Sequence, residues 1–122
     1  MKKHNPRFLT IVNEAKSLIR EISVEDFLTD TNAYILVDVR EDREWNIAHA
    51  TGAIHIGKGV LERDIEKKFP ATHTPLVLYC GGGFRSALAA DSLTQMGYTQ
   101  VFSLAGGFRA WRAAGGSIEE TT

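Results

Sequence analysis

Apolar residues recur at helical steps near the start of the chain. Phe8, Ile11, Val12, Ala15, Leu18, Ile19 and Ile22 fall three and four apart, with Asn13, Glu14, Lys16 and Arg20 between them. The spacing predicts an amphipathic helix over residues 1–20, packed on the domain that follows or presented to a partner, with the periodicity running on to Ile22. Ser23, with Asp26 three residues on, reads as a second helix start ahead of Val24, Phe27 and Leu28. The period then changes. Tyr34–Val39 is an almost unbroken β-favouring run, as expected of a strand buried on both faces, and Pro75–Cys80 is another. Shorter strands are predicted over Ala53–Ile56 and Val101–Leu104. Helices are predicted between them, over Glu41–Ile47, Val60–Phe69 and Ser86–Met96, with Pro70 ending the second and Gly97 capping the third. Gly106-Gly107 reads as a turn, Phe108–Ala114 as a closing helix, and residues 117–122 as a frayed tail.

Strands alternating with helices predict an α/β domain with a central parallel sheet covered on both faces, here over residues 21–116. Composition agrees: 122 residues, 43% hydrophobic and 24% charged, suit one globular domain. A formal net charge of −1 offers no global attraction for nucleic acid or an anionic membrane, so anion binding must come from a local arrangement. The single cysteine excludes an intramolecular disulfide and a cysteine-held zinc site, and His4, His49, His55 and His73 lack ligand spacing. No metal or other cofactor is therefore expected. The basic N-terminus runs into Asn13, Glu14 and Lys16 rather than an apolar stretch, and no run approaches the roughly 20 residues of a membrane span. A cytoplasmic location is the expectation.

The chemistry concentrates at Cys80-Gly81-Gly82-Gly83-Phe84-Arg85-Ser86, where a strand ends and a helix begins. Ligands of open α/β sheets gather at such strand ends. Consecutive glycines let successive N–H groups turn inward as a nest, and the helix adds unpaired N–H groups and a positive dipole end. Such a cradle stabilises an anion on the Cys80 sulfur, and the thiolate is the nucleophilic form. A nucleotide P-loop is excluded because no Gly-Lys-Ser/Thr follows, and a dinucleotide fingerprint because the glycines are consecutive.

In order along the chain, Val37-Asp38-Val39-Arg40-Glu41 with Glu44-Trp45, then His49 to Ile54, then Val77–Ser86, then Leu104–Trp111 resemble the signatures of single-domain rhodaneses, the thiosulfate:cyanide sulfurtransferase family. The resemblance covers about residues 21 to 115. It implies a three-layer domain around a five-stranded parallel sheet. It also implies a sulfur shuttle. Cys80 would take a sulfane sulfur from thiosulfate or a persulfide and pass it, as its own persulfide, to cyanide, a thiol or a protein acceptor. The amides of residues 81 to 85 would stabilise that anionic sulfur, Arg85 would orient an anionic donor, and Ser86 would cap the helix and donate to the sulfur. Ala48, Ala50 and Thr51 stand where the family usually has Gly, Ile and Pro.

Two other functions remain open at this level. One is a non-catalytic sulfur carrier or protein-binding module. The other is phosphatase chemistry, although related dual-specificity phosphatases place five residues between cysteine and arginine, against four here. Of the supporting residues, Asp38 and Arg40 either shape the site rim or act structurally, Asp38 accepting loop hydrogen bonds and Arg40 pairing with Glu44. His49 is a candidate general base or a loop-fixing group. Phe84 is expected to wall the pocket mouth, favouring a persulfide on a protein or small thiol, and Trp111 to seal the core.

Overall fold

The computed structural model describes residues 4–120. Its centre is a five-stranded parallel sheet in the order β1-β6-β5-β2-β4, built from Arg20–Ile22 (β1), Ile35–Asp38 (β2), Ile54–His55 (β4), Leu76–Tyr79 (β5) and Val101–Leu104 (β6). Strand β5 alternates between two cores, as a strand covered on both faces must. Leu76 and Leu78 join Leu61, Ile65, Ala90 and Leu93 on one side, while Val77 and Tyr79 join Phe27, Phe108 and Trp111 on the other. The first side is covered by α4 (Lys58–Lys68) and α5 (Phe84–Gln95), the second by α2 (Val24–Thr29) and α6 (Gly107–Ala113). The central sheet and two helical layers are those anticipated from the alternation of strands and helices.

The first helix, α1 (Pro6–Leu18), packs on α5 through buried Val12 and Ala15. It stops four residues before the end of the apolar period. Ile22 belongs to β1, which pairs with β6 and so joins the sheet as an edge strand. The hydrogen-bonding edge of β6 overrides a helical pattern that three residues could satisfy either way. The N-terminal half of the helix expected over residues 1–20 begins at Pro6; residues 1–3 lie outside the description.

The tail also departs from expectation. Ile118–Glu120 forms a strand (β7) antiparallel to Ala48–Ala50 (β3), with His49 opposite Glu119. Trp111 anchors the approach, its indole N–H donating to Ser117 O at 2.9 Å while Gly116 N–H returns to Trp111 O at 2.9 Å. Trp111 is thus buried under the closing helix as expected, and it also ties down the chain after it. Between β2 and β3 lies α3 (Asp42–Ile47), and Ser23 caps α2 by accepting from Asp26 N–H at 3.0 Å. Gly97 closes α5 in a left-handed turn, with Tyr98 N–H bonded to Leu93 O. No helix among the described residues is long and apolar enough to cross a membrane.

Candidate active site

Strand β5 delivers Cys80 to the carboxyl edge of the sheet, and the chain then curls through Gly81-Gly82-Gly83 into α5. Cys80 is 1% exposed. Its sulfur accepts N–H bonds from Gly83 at 3.1 Å and Ser86 at 3.3 Å, and lies 3.4 Å from the Ser86 hydroxyl. Ser86 Oγ is 2.8 Å from Ser103 Oγ, and both serines are fully buried. The thiol donates to Ser86. When the sulfur is an anion, the same chain reverses, with Ser103 donating to Ser86 and Ser86 to sulfur. Ser86 sits inside α5 rather than at its cap, a place taken by Gly83 at φ +94°. Among the amides expected to face the sulfur, that of Gly83 does so, joined by that of Ser86.

The loop owes its position to a second glycine turn. Gly106-Gly107 brings α6 against it so closely that Phe108 N–H donates to Cys80 O at 2.7 Å and Arg109 N–H to Gly81 O at 3.1 Å. Gly107 has φ +58°, and a Cβ there would overlap Cys80 O and stand 2.9 Å from the Gly81 carbonyl carbon. Gly107→Ala should therefore destabilise the fold by about 2–4 kcal/mol, combining left-handed backbone strain with overpacking. Urea unfolding checks this through a lower midpoint at unchanged slope.

Arg85 is held by an ion pair. Its Nη1 and Nη2 form a fork with Glu44 at 2.8 and 3.1 Å. Hydrogen bonding from Arg85 holds the Glu44 carboxyl down to about 2, against the opposing effect of burial, and Glu44 in turn holds the Arg85 guanidinium above its ordinary value. Glu44 also accepts from Glu41 N–H at 3.0 Å at the start of α3, so one carboxylate links that helix start to the loop arginine. Because its folded pKa lies below the ordinary 4.5, the pair's stabilisation is complete above about pH 5 and is lost as pH falls toward 2. Glu44→Gln should cost about 1–2 kcal/mol at pH 7, a figure reduced for partial exposure, with the difference from wild type shrinking between about pH 4.5 and 2. Unfolding curves across that range read it directly.

The remaining candidates support the loop from behind. Asp38 is 0% and Arg40 6% exposed, and they pair with each other at 2.8 Å rather than Arg40 with Glu44. Arg40 also donates to Ala48 O at 2.6 Å and stacks over Phe108, 4.3 Å from its centroid. Burial pulls the Arg40 guanidinium down, but hydrogen bonds and charge from Asp38 outweigh it and hold the value raised. Tyr79, opposite Asp38 in the sheet, accepts Ala50 N–H at 3.0 Å, and burial followed by Asp38 pushes its phenol upward. His49 lies flat on Trp45, centroids 3.5 Å apart, with Nδ1 3.0 Å from Trp45 O and Nε2 3.5 Å from Glu119. Those partners fix α3, β3 and β7. Phe84 meets His4 at 4.5 Å and carries the Lys16 ammonium 4.9 Å from its centroid, so His4 and α1 engage the ring expected to wall the mouth. A groove of about 650 Å³ opens beside Arg85, between the starts of α3 and α4, and Cys80 does not line it.

Residues 23–114 match the model of the rhodanese-like domain. The chain belongs to the rhodanese-like family. Among curated relatives, YqhL of Bacillus subtilis (strain 168), an uncharacterized protein, is 33% identical over 84% of this chain and 77% of its own. The thiosulfate sulfurtransferase GlpE of Tolumonas auensis is 36% identical over 63% of this chain and 71% of its own. Among solved structures, the Rhodopseudomonas palustris protein RPA3614, described as of unknown function and a possible tyrosine phosphatase, superposes with a TM-score of 0.80. It is 31% identical and the match covers 98% of this chain and 99% of that one.

In this rhodanese-like domain the residues gathered at the cysteine loop include three that sequence reasoning passed over. Glu44 was expected, on the structural reading, to pair with Arg40, but Arg40 precedes α3 and turns to Asp38, leaving Glu44 to Arg85. Ser103 carries the one sequence signal that pointed to it, a lone hydroxyl within a β-favouring apolar run. Gly107 was read as a turn residue only, since its closeness to Cys80 arises from the packing of β5 beside β6.

Proposed function

We propose that the protein is a sulfurtransferase in which Cys80 carries the transferred sulfur as a persulfide. The observation that carries this reading is a buried cysteine sulfur met by the Gly83 and Ser86 N–H groups and by the Ser86 hydroxyl, backed by Ser103. That environment suits an anionic sulfur and its one-atom extension, because donors already aimed at it need no reorganisation when charge appears. The relatives named thiosulfate sulfurtransferases support the donor class.

In the first half-reaction the Cys80 thiolate attacks the outer sulfur of thiosulfate. A Cys80–sulfur bond forms, the sulfur–sulfur bond of the donor breaks, and sulfite leaves with the electron pair. In the second, cyanide or a thiolate attacks the terminal persulfide sulfur, and the Cys80 thiolate leaves. Charge balances in each step and no external oxidant enters. The persulfide form of the enzyme separates the two half-reactions, with sulfite gone before the acceptor reacts, so the kinetics are ping-pong. His49, held by Trp45 and Glu119, plays no part in either step.

A second reading has one observation behind it: the description of RPA3614 as a possible tyrosine phosphatase. Four residues between Cys80 and Arg85 give a narrower cradle, and the pairing of Arg85 with Glu44 offsets the positive charge a phosphoryl group would need. Initial rates of thiocyanate formation with thiosulfate and cyanide both varied distinguish the readings. Parallel double-reciprocal lines are expected. Sulfur uptake without turnover would move the protein to a carrier role, and faster hydrolysis of a chromogenic phosphoester would favour the phosphatase.

A further inference from the structure

We propose that Arg109 on α6 is a second cation, beside Arg85 in the loop, that receives the anionic end of the sulfur donor. The inference rests on the sulfur-transfer reading for its substrate and adds a specificity-determining residue to it. Arg85 donates one N–H of each terminal nitrogen to Glu44, and its Nη2 lies 3.3 Å from where a Cβ of Gly81 would be. Arg109 is exposed, and among the described residues its side chain has no carboxylate partner. Its placement is fixed from the backbone: Arg109 N–H is bonded to Gly81 O, which seats the residue on the catalytic loop itself. From there its Nη1 reaches over Gly82, lying 3.8 Å from where a Cβ of that residue would be.

The loop has no side chains of its own where the two arginines flank it, Arg85 at Gly81 and Arg109 at Gly82. Gly81 and Gly82 are half-buried and carry no side chain, whereas on the other side Phe84 is engaged by His4 and Lys16. A donor crossing Gly81-Gly82 toward the buried Cys80 sulfur therefore passes between Arg85, neutralised in part by Glu44, and Arg109, whose guanidinium donors are free among the described residues. With the outer sulfur of thiosulfate at Cys80, the sulfonate-like end points back along that path. There Arg109 pairs with two of its oxygens in the fork geometry that arginine offers to oxyanions, and stays paired as sulfite departs. The recognised class is a sulfane sulfur attached to an oxyanion. A neutral persulfide donor gains nothing from Arg109.

The test reads charge selection at Cys80 without requiring sulfur transfer. Iodoacetate and iodoacetamide alkylate the same thiolate by the same displacement of iodide, but only iodoacetate is an anion. Second-order rates for both are measured by intact mass on wild type, Arg109→Gln, Arg109→Lys, Lys58→Gln and Arg63→Gln, with folding checked by urea midpoint. Lys58 borders the groove beside Arg85, and Arg63 is a distant surface cation that controls for net charge. Arg109→Gln should slow iodoacetate about five-fold, as expected for loss of one nearby partly screened charge, with iodoacetamide changed less than two-fold. Arg109→Lys should recover part of the loss, and the two control variants should keep the wild-type rates with both reagents. On thiosulfate, Arg109→Gln should raise KM by a similar factor with kcat little changed. Equal slowing of both reagents, an unchanged rate ratio, or loss of selectivity in Lys58→Gln instead would overturn the proposal. Charge selection by Arg109 in a protein that takes no sulfur from any donor would uphold the anion site and defeat the transfer reading, so the two fail separately.

Discussion

Cys80→Ser should fold as the wild type does and form no thiocyanate above the uncatalysed rate. The two side chains differ by one atom, and the surroundings of the sulfur, Gly83 N–H, Ser86 N–H and Ser86 Oγ, accommodate a hydroxyl equally well. Unfolding midpoints should therefore agree to within about 1 kcal/mol. Chemistry is another matter. Among the described residues the hydrogen-bond partners of Cys80 are two backbone N–H groups and a hydroxyl, none of them a general base for a serine, and an oxygen–sulfur adduct would not survive to be passed on. The chain has a single cysteine, so no other thiol can substitute. Measurement of thiocyanate release beside a urea titration separates lost chemistry from lost structure.

Asp38→Ala should lower stability by about 3–5 kcal/mol, the cost typical of breaking a buried ion pair from one side. Arg40 is left buried with its Nε and Nη2 donors stripped of a carboxylate that accepts four hydrogen bonds from that residue, its backbone N–H included. The damage is not confined to the pair. Arg40 stacks on Phe108, whose N–H holds Cys80 O, so sulfur-transfer activity should fall even under conditions where the variant remains folded. Removing both charges, as in Asp38→Leu with Arg40→Met, should recover part of the stability, because an apolar pair leaves no orphaned charge. Ala48 O would still lose its 2.6 Å donor, which limits that recovery. Denaturant unfolding of the two single variants and the double variant gives the coupling directly.

Local order was legible where one physical signal dominated. Tyr34–Val39 and Pro75–Cys80 read as buried strands because their apolar runs have no competing period, and Gly83 and Gly97 punctuate α5 by left-handed backbone that favours glycine. The cysteine loop was legible because strand, glycines and helix are consecutive in the chain. Features set by distant partners were not. Arg20–Ile22 is too short to show a strand period and is recruited by the edge of β6. Ile118–Glu120 looks like an acidic tail until Ala48–Ala50 offers it an edge. The same holds for charges. Glu44 has Arg40 four residues before it in sequence, yet it is Arg85, brought near by the fold, that occupies its carboxylate, and Arg40 turns inward to Asp38. Pairings between side chains are consequences of topology, and one sequence constrains them weakly.

The role of Cys80 is tested most directly by weighing the intact protein before and after exposure to thiosulfate, and again after cyanide. The account predicts a gain of one sulfur atom in the wild type, its complete removal by cyanide with release of thiocyanate, and no gain in Cys80→Ser. An unchanged mass with thiosulfate and with persulfide donors alike, or a sulfur still acquired by Cys80→Ser, would contradict it.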